Sequence, residues 1–128
     1  MGRTMIKLIL DSVILIDHLN SVKKASDFLE ELDPGETAIS VITRAEVLCG
    51  VDDAAFEDVS MLLDQYILLN LDKTAADTAA RLRKEEGWKL PDAFQAALAQ
   101  LHNTKLCTRN TSDFNPKKHT FVEVPYTL

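Results

Sequence analysis

Residues 6–13 read IKLILDSV. The first five are almost entirely apolar, and the acid Asp11 follows them directly. The run from Ile6 to Leu10 predicts a central parallel strand, because a strand covered on both faces needs apolar side chains on both faces. Ligands of parallel α/β sheets bind beyond the carboxyl ends of strands, at the point where the strand order reverses. Asp11 is therefore the first candidate site residue.

Strand and helix patterns alternate along the rest of the chain, and no repeat, linker or low-complexity tract interrupts them. Further strands are predicted at 37–40, 66–71, 105–108 and 119–124, and helices at 13–19, 22–32, 54–65, 74–86 and 92–102, with another through 44–48 that stops at Gly50. Alternation of this kind indicates an α/β fold with a mainly parallel sheet. We expect one domain over residues 1–128, with residues 1–4 as a loose lead-in.

The composition is that of an ordinary globular protein, with 46% hydrophobic and 27% charged residues. Cys49 and Cys107 form neither a disulfide framework nor a zinc motif, so both are predicted to be reduced core residues of a cytoplasmic protein. The apolar run before Asp11 is too short for a signal peptide or a membrane span. A net charge of −6 argues against nucleic-acid binding, unless the acids gather in a site that metal ions neutralise.

Four acids lie at or near the predicted sites of ligand binding. Asp11 and Asp113 follow the first and fourth strands, Glu46 lies in the helix after the second strand, and Asp92 lies in the first turn of a helix. Each has a structural explanation as a helix cap, a turn residue, a capping-box partner of Thr43 or a helix-dipole charge. If the four converge, their repulsion requires a hard cation such as Mg²⁺ or Mn²⁺. Such a cage suits phosphodiester hydrolysis.

Four segments, in order, resemble the acidic motifs of the PIN-domain ribonucleases. They are LDSVILID at 10–17, SVITRAEVLCG at 40–50, LPDAFQAALA at 90–99 and TRNTSDF at 108–114. In size and motif wording the chain is most similar to the VapC toxins of bacterial and archaeal toxin–antitoxin pairs. The match covers essentially the whole chain.

The resemblance implies a three-layer α/β/α sandwich and an endoribonuclease that needs Mg²⁺ or Mn²⁺. Asp11 and Asp92 would be the principal metal ligands, and Glu46 and Asp113 would complete the pocket directly or through water. Ser12 and Asn110 would support the site by orienting ligands or the scissile phosphate. The resemblance also implies an RNA substrate, a homodimer or toxin–antitoxin hetero-oligomer, and an antitoxin that inhibits by inserting a C-terminal segment.

Several charged and polar residues near the motifs have two possible roles. A basic group before Asp92 could complement a helix dipole or hold an RNA backbone, and two motif arginines could contact phosphate or pair with a carboxylate. These cations are Arg81, Arg83, Lys84 and Lys89 in the group, and Arg44 and Arg109 in the motifs. Asp17 is predicted to be a solvated helix residue or a local ion-pair partner. The three histidines are predicted to be surface or interfacial residues, and Gln95 has no assigned role.

Other protein classes share parts of this pattern. A receiver domain would place a phosphoacceptor aspartate at the end of the third strand and a lysine at the end of the fifth, and Val124 and Pro125 offer no such lysine. A haloacid-dehalogenase-type phosphatase would need a second acid two residues after Asp11, where Val13 stands. Within the PIN family, a nuclease of RNA processing without an antitoxin and a non-catalytic RNA-binding domain both remain open.

Overall fold

A computed structural model of the protein describes residues 5–128, so the predicted lead-in at residues 1–4 lies outside the described residues. Within that range strands and helices alternate. The strands are β1 (Leu8–Leu10), β2 (Thr37–Ser40), β3 (Ile67–Leu69), β4 (Lys105–Cys107) and β5 (Val122–Glu123). The α-helices are α1 (Ser12–Leu19), α2 (Lys23–Glu30), α3 (Val41–Cys49), α4 (Asp53–Leu63), α5 (Lys73–Glu86) and α6 (Leu90–Leu101).

The five described strands form one sheet in the order β3-β2-β1-β4-β5. All neighbouring pairs are parallel, and Ile9 of β1 lies opposite Ala38 of β2 and Leu106 of β4. The chain proceeds outward from β1 to β3 on one side and from β4 to β5 on the other. The strand order therefore reverses between β1 and β4, which is where a parallel sheet of this kind offers a binding crevice.

Helices cover both faces of the sheet, so successive strand residues enter two different cores. One set of strand side chains packs with α1, α3 and α4, and the other packs with α5 and α6. The first set is Leu8, Leu10, Ile39 and Cys107, and the second is Ile9, Ala38, Leu69, Leu106 and Val122. This arrangement explains the apolar run of β1 and confirms the predicted α/β/α sandwich with a parallel sheet.

An aromatic cluster closes the α5–α6 side of the sheet. Trp88, in the connection between these helices, lies 5.2 Å from the Phe114 ring and 5.1 Å from the His119 ring, measured between centroids. The His119 side chain is only 13% exposed. His119 is therefore not a freely exposed surface residue, because the loop between β4 and β5 folds back onto Trp88. The interfacial alternative of the prediction stays a prediction.

Four of the five strands are shorter than predicted, β2 has the predicted bounds, and one cysteine prediction is wrong. The first strand begins at Leu8 rather than Ile6, and β5 contains two residues rather than six. Cys107 is buried, as predicted, but Cys49 is exposed. Val47 of α3 points into the core, and a residue two positions later falls on the opposite side of a helix with 3.6 residues per turn. No helix within residues 5–128 is long and apolar enough to cross a membrane.

Two strand leucines differ greatly in burial, so we expect their truncation to lower the free energy of unfolding by very different amounts. Leu106 is fully buried in β4, whereas Leu68 of β3 is 44% exposed. Leu106→Ala should lower the free energy of unfolding by about 3 kcal/mol, because it leaves a cavity between the sheet and α6. The matched control Leu68→Ala should lower it by less than about 1 kcal/mol in the same urea titration. Equal losses would contradict the assigned packing.

Candidate active site

Asp11 is held rigidly at the end of β1. Its backbone amide donates to the Cys107 carbonyl at 2.9 Å, which ties the ends of β1 and β4 together. The side chain is nearly buried, with the residue 7% exposed. Oδ1 accepts a 2.9 Å hydrogen bond from the Ser12 amide, and Oδ2 accepts a 2.7 Å hydrogen bond from the Thr108 hydroxyl. Asp11 also occupies the N-cap position of α1, so the predicted capping role is combined with its place at the site.

A buried polar network connects Asp11 to two other elements. The Gln95 amide of α6 donates to Asp11 Oδ1 at 3.3 Å and to Thr43 Oγ1 at 2.9 Å, and it accepts from the Ser40 hydroxyl at 2.6 Å. Gln95, Ser40 and Thr43 are all buried. A fully satisfied network of this kind fixes side chains with little freedom to move. It holds Asp11 in one orientation, a role that the sequence did not indicate for Gln95, Ser40 or Thr43.

Asp92 lies in the first turn of α6, as predicted, and shares the electrostatic field of the other three acids. Its pKa is raised from 3.8 to about 6, first by burial and then by the charges of Asp11, Asp113 and Glu46, against a smaller opposing effect of Lys89. A carboxyl group responds in this way when like charges lie nearby in a partly desolvated place. The structure therefore brings all four predicted acids into one electrostatic neighbourhood.

The other two acids are more exposed than Asp11 and Asp92. Glu46 does not act as the capping-box partner of Thr43, because Ser40 is the N-cap of α3 and accepts from the Thr43 amide at 3.0 Å. Asp113 lies in the loop after β4, where Asn110 Nδ2 donates to its carboxylate at 2.9 Å. Both side chains thus remain accessible to solvent or to a ligand.

An open cleft of about 550 Å³ lies at the switch point. Its walls come from the ends of β1 and β4 and from α1, α3 and α6. The lining residues are Asp11, Ser12, Val13, Glu46, Asp92, Arg109, Asn110, Thr111 and Ser112. Three of the four predicted acids and both predicted supporting residues line this cleft, and Asp113 lies outside its lining.

The side-chain atoms of the cleft that can ligate a metal are mainly carboxylate oxygens, which suit hard divalent cations. Across residues 5–128, no three His, Cys, Asp or Glu side chains are grouped closely enough to hold one ion by themselves. Mg²⁺ in proteins is commonly held by one or two carboxylates, with water completing the octahedron. The residues present therefore fit a cation of this type bound through few protein ligands.

The predicted cations differ in what they contact. Arg44 pairs with Asp64 at 2.9 Å, and Arg83 donates to the Trp88 carbonyl at 2.6 Å. Side chains at Arg81, Lys84 and Lys89 are exposed. Lys89 precedes α6 and acts on the pKa of Asp92, which places it near the cleft.

Arg109 and Asp17 form an ion pair at the edge of the cleft. Arg109 Nε and Nη2 donate to the two carboxylate oxygens of Asp17 at 2.6 and 2.8 Å, and the Tyr126 hydroxyl donates to Asp17 at 2.8 Å. These hydrogen bonds, with that of Arg109 the largest cause, lower the pKa of Asp17 below its usual value against an opposing effect of burial. The prediction of a solvated or local role for Asp17 is therefore wrong, because its partners lie far away in sequence.

The strand order distinguishes between the α/β classes considered above. A receiver domain has the order 2-1-3-4-5, whereas this sheet has the order 3-2-1-4-5. The site also differs, because its acids come from the ends of β1 and β4 and from α3 and α6. Fold and site together exclude the receiver class.

The model of the PIN domain family matches residues 8–116, so the chain belongs to the PIN-domain family. Its fold is that of a VapC-like PIN domain. A comparison with curated protein sequences gives no significant match.

Solved structures of toxin–antitoxin systems share the fold. A chain of a toxin–antitoxin complex from Klebsiella pneumoniae is 36% identical, with a TM-score of 0.87, over 95% of this chain and all of that one. A chain of VapBC2 from Rickettsia felis bound to a promoter DNA fragment is 20% identical, with a TM-score of 0.76, over 92% and 98% of the two chains. A chain of DNA-bound VapBC from Salmonella typhimurium is 22% identical, with a TM-score of 0.75, over 93% and 98%.

The raised pKa of Asp92 predicts the pH dependence of stability in the absence of metal. Folded Asp92 binds a proton with a pKa of about 6, above its ordinary value of 3.8, so its contribution to stability falls as the pH rises through this interval and is constant above it. Asp92→Asn should therefore be more stable than wild type by roughly 2 kcal/mol at pH 7, allowing for solvent screening, and by much less at pH 4.

The measurement is urea unfolding in EDTA between pH 4 and pH 8. Asp58→Asn, which changes an exposed acid of α4, is the matched control and should show no such pH-dependent gain. If the difference between Asp92→Asn and wild type is the same at every pH, Asp92 does not experience the repulsion described here.

Proposed function

We propose that this chain is the cytoplasmic toxin of a type II toxin–antitoxin system and hydrolyses RNA as a metal-dependent endoribonuclease. The observation that carries the proposal is the convergence of Asp11, Glu46 and Asp92 in one cleft, with Asp113 near enough to raise the pKa of Asp92. Membership of the PIN-domain family and 36% identity to a chain of a toxin–antitoxin complex support the same assignment.

The proposed metal ligands are the four acids. Asp11 and Asp92 would bind Mg²⁺ or Mn²⁺ most directly, and Glu46 and Asp113 would act directly or through water. A bound divalent cation supplies positive charge that offsets the carboxylates and polarises water and phosphate oxygens. The repulsion that raises the pKa of Asp92 supports this role, because a cation relieves it.

The surrounding residues would orient the reacting groups. Hydrogen bonds from Thr108, Gln95 and the Ser12 amide fix the directions of both Asp11 oxygens, which is the usual task of residues around a metal ligand. The Ser12 hydroxyl and the Asn110 amide belong to residues that line the same cleft, where they are suited to hydrogen bond with the scissile phosphate.

The proposed RNA contacts lie near the N-terminus of α6. Arg81, Lys84 and Lys89 are exposed and would attract the phosphate backbone by charge. Arg44 and Arg83 are weaker candidates, because neither lines the cleft and their guanidinium groups donate to Asp64 and Ser60 or to a backbone carbonyl. The substrate would be tRNA, rRNA or mRNA.

The purified chain should cleave RNA in the presence of Mg²⁺ or Mn²⁺ and stop in excess EDTA. Attack of water with departure of the 3′-oxygen leaves a 5′-phosphate, which sequencing of the fragment ends detects. Asp11→Asn and Asp92→Asn should each lower the rate by at least about 100-fold, because each removes a charge that the cation needs while preserving shape.

Asp58→Asn is the control for this assay and should cleave at the wild-type rate. Each variant is first shown to be folded by its thermal unfolding curve. Undiminished cleavage in EDTA, or wild-type rates in both folded site variants, would contradict the proposed mechanism.

The antitoxin would bind a groove on α1, α3 and α4 that has both apolar residues and the polar residues Asn20 and Asp52 in its lining. The groove has a volume of about 350 Å³, and its apolar lining is Ile16, Leu19, Val47, Val51 and Ala55. Ile16 is 36% exposed, and Phe56 on α4 is 45% exposed. An amphipathic helix fits a groove of this kind. A basic side chain in the partner's C-terminal segment would then pair with the cleft acids in place of the metal.

The chain would also form a homodimer, alone or within a toxin–antitoxin hetero-oligomer.

Coexpression with the product of the adjacent upstream gene should yield a stable complex that does not cleave RNA. Replacing the basic residues of the partner's C-terminal segment with Ala should restore cleavage while the complex persists, because the groove still holds the partner. Pull-down and a nuclease assay on the same sample measure both properties. No complex, or a complex that cleaves normally, would favour an unpaired nuclease of RNA processing.

A further inference from the structure

Arg109 is the one cation among the residues that line the acidic cleft in the described part of the chain. It follows Thr108 directly after β4. In the sheet, β4 and β2 are the two neighbours of β1, one on each side. The Arg109 side chain is 33% exposed, so it is neither buried in the core nor free in solvent. A positive hydrogen-bond donor at this position is suited to bind a phosphate oxygen of a phosphodiester that enters the cleft.

The carboxylate of Asp17 binds the guanidinium group of Arg109. Nε and Nη2 donate to the two carboxylate oxygens in a bidentate pair, so neither contact uses Nη1. The Asp17 side chain is only 7% exposed. Because a buried carboxylate with two parallel hydrogen bonds permits few orientations of its partner, the plane of the guanidinium is fixed before any ligand arrives.

The C-terminal segment contributes the third member of this arrangement. Tyr126 donates its hydroxyl to Asp17 Oδ2 at 2.8 Å, and its ring lies 6.4 Å from that of Phe28 in α2. Lys24, also in α2, donates to the Thr127 carbonyl at 2.6 Å. These contacts fasten the last residues against α2, at a place from which Tyr126 reaches Asp17.

We propose that Arg109 binds an RNA phosphate at the carboxylate cleft and that Asp17 and Tyr126 are positioning residues that hold it there. This inference rests on the proposed function and assigns a substrate-binding group within it. A purely structural role would need Arg109 to neutralise the buried Asp17 and Tyr126 to fasten the C-terminal segment. It would not require the guanidinium to line the cleft. Preorganisation of the guanidinium lowers the entropy lost when the phosphate binds.

The test is steady-state cleavage of a single-stranded RNA oligonucleotide by full-length variants. Arg109→Gln should raise KM about tenfold and change kcat by less than about threefold, as expected for loss of one charge-assisted contact. The slope of log KM against log salt should fall by about one, because one phosphate contact is lost. Arg109→Lys should restore the slope but not the whole affinity, because lysine keeps the charge without the planar fork.

Tyr126→Phe tests the positioning role. It removes one hydroxyl and leaves the ring beside Phe28, so KM should rise about threefold while the salt slope stays at the wild-type value. Lys7→Gln is the matched control for loss of a paired cation, since Lys7 pairs with Glu36 at the amino ends of β1 and β2, whereas the cleft lies at the carboxyl ends. Its KM should equal that of wild type.

Loss of Arg109 alone leaves Asp17 buried without a cation, which can unfold the chain. The double variant Asp17→Asn with Arg109→Gln removes both charges together and keeps the measurement possible, and it should show the same rise in KM and the same fall in slope. Unchanged KM and slope in the folded arginine variants, with an active wild type, would overturn the inference alone. A wild-type chain that does not cleave RNA would contradict the proposed function and this inference together.

Discussion

Asp11 occupies a position from which water is almost excluded, and its charge acts on Asp92 in the same cleft. An ionised carboxylate in such a place is tolerated only if hydrogen bonds or opposite charge compensate for its lost hydration. Here the compensation comes from neutral donors, namely the Thr108 hydroxyl, the Gln95 amide and the Ser12 backbone amide. These donors hold the carboxylate in place without cancelling its charge, so the cleft keeps its attraction for a cation.

Asp17, farther along α1, is a second buried aspartate, but its charge is compensated by a cation. It is as buried as Asp11, but it is paired with Arg109 and receives a further hydrogen bond from Tyr126. The protein therefore neutralises one buried aspartate and leaves another unneutralised. The unneutralised acid lies at the point where the strand order reverses, which is where a parallel sheet binds its ligands. The contrast supports a functional rather than a structural reason for the charge of Asp11.

The sequence predicted the order of strands and helices well, because apolar strands and amphipathic helices are local patterns. It also predicted which acids follow strand ends. The contacts that hold Asp11 were not predictable, since Gln95 and Thr108 lie 84 and 97 residues away and meet it only through the sheet register. Tyr126 reaches Asp17 across 109 residues for the same reason. A motif shows which acids to consider but not which neutral residues support them.

Binding of a divalent cation by the converged acids can be measured through the thermal unfolding midpoint during a Mn²⁺ titration. A ligand that binds only the folded state raises this midpoint as its concentration grows. We expect a progressive rise for wild type and for Asp58→Asn, and little or no rise for Asp11→Asn and Asp92→Asn. An equal rise in wild type and in both site variants, or no rise in wild type, would contradict cation binding by these acids.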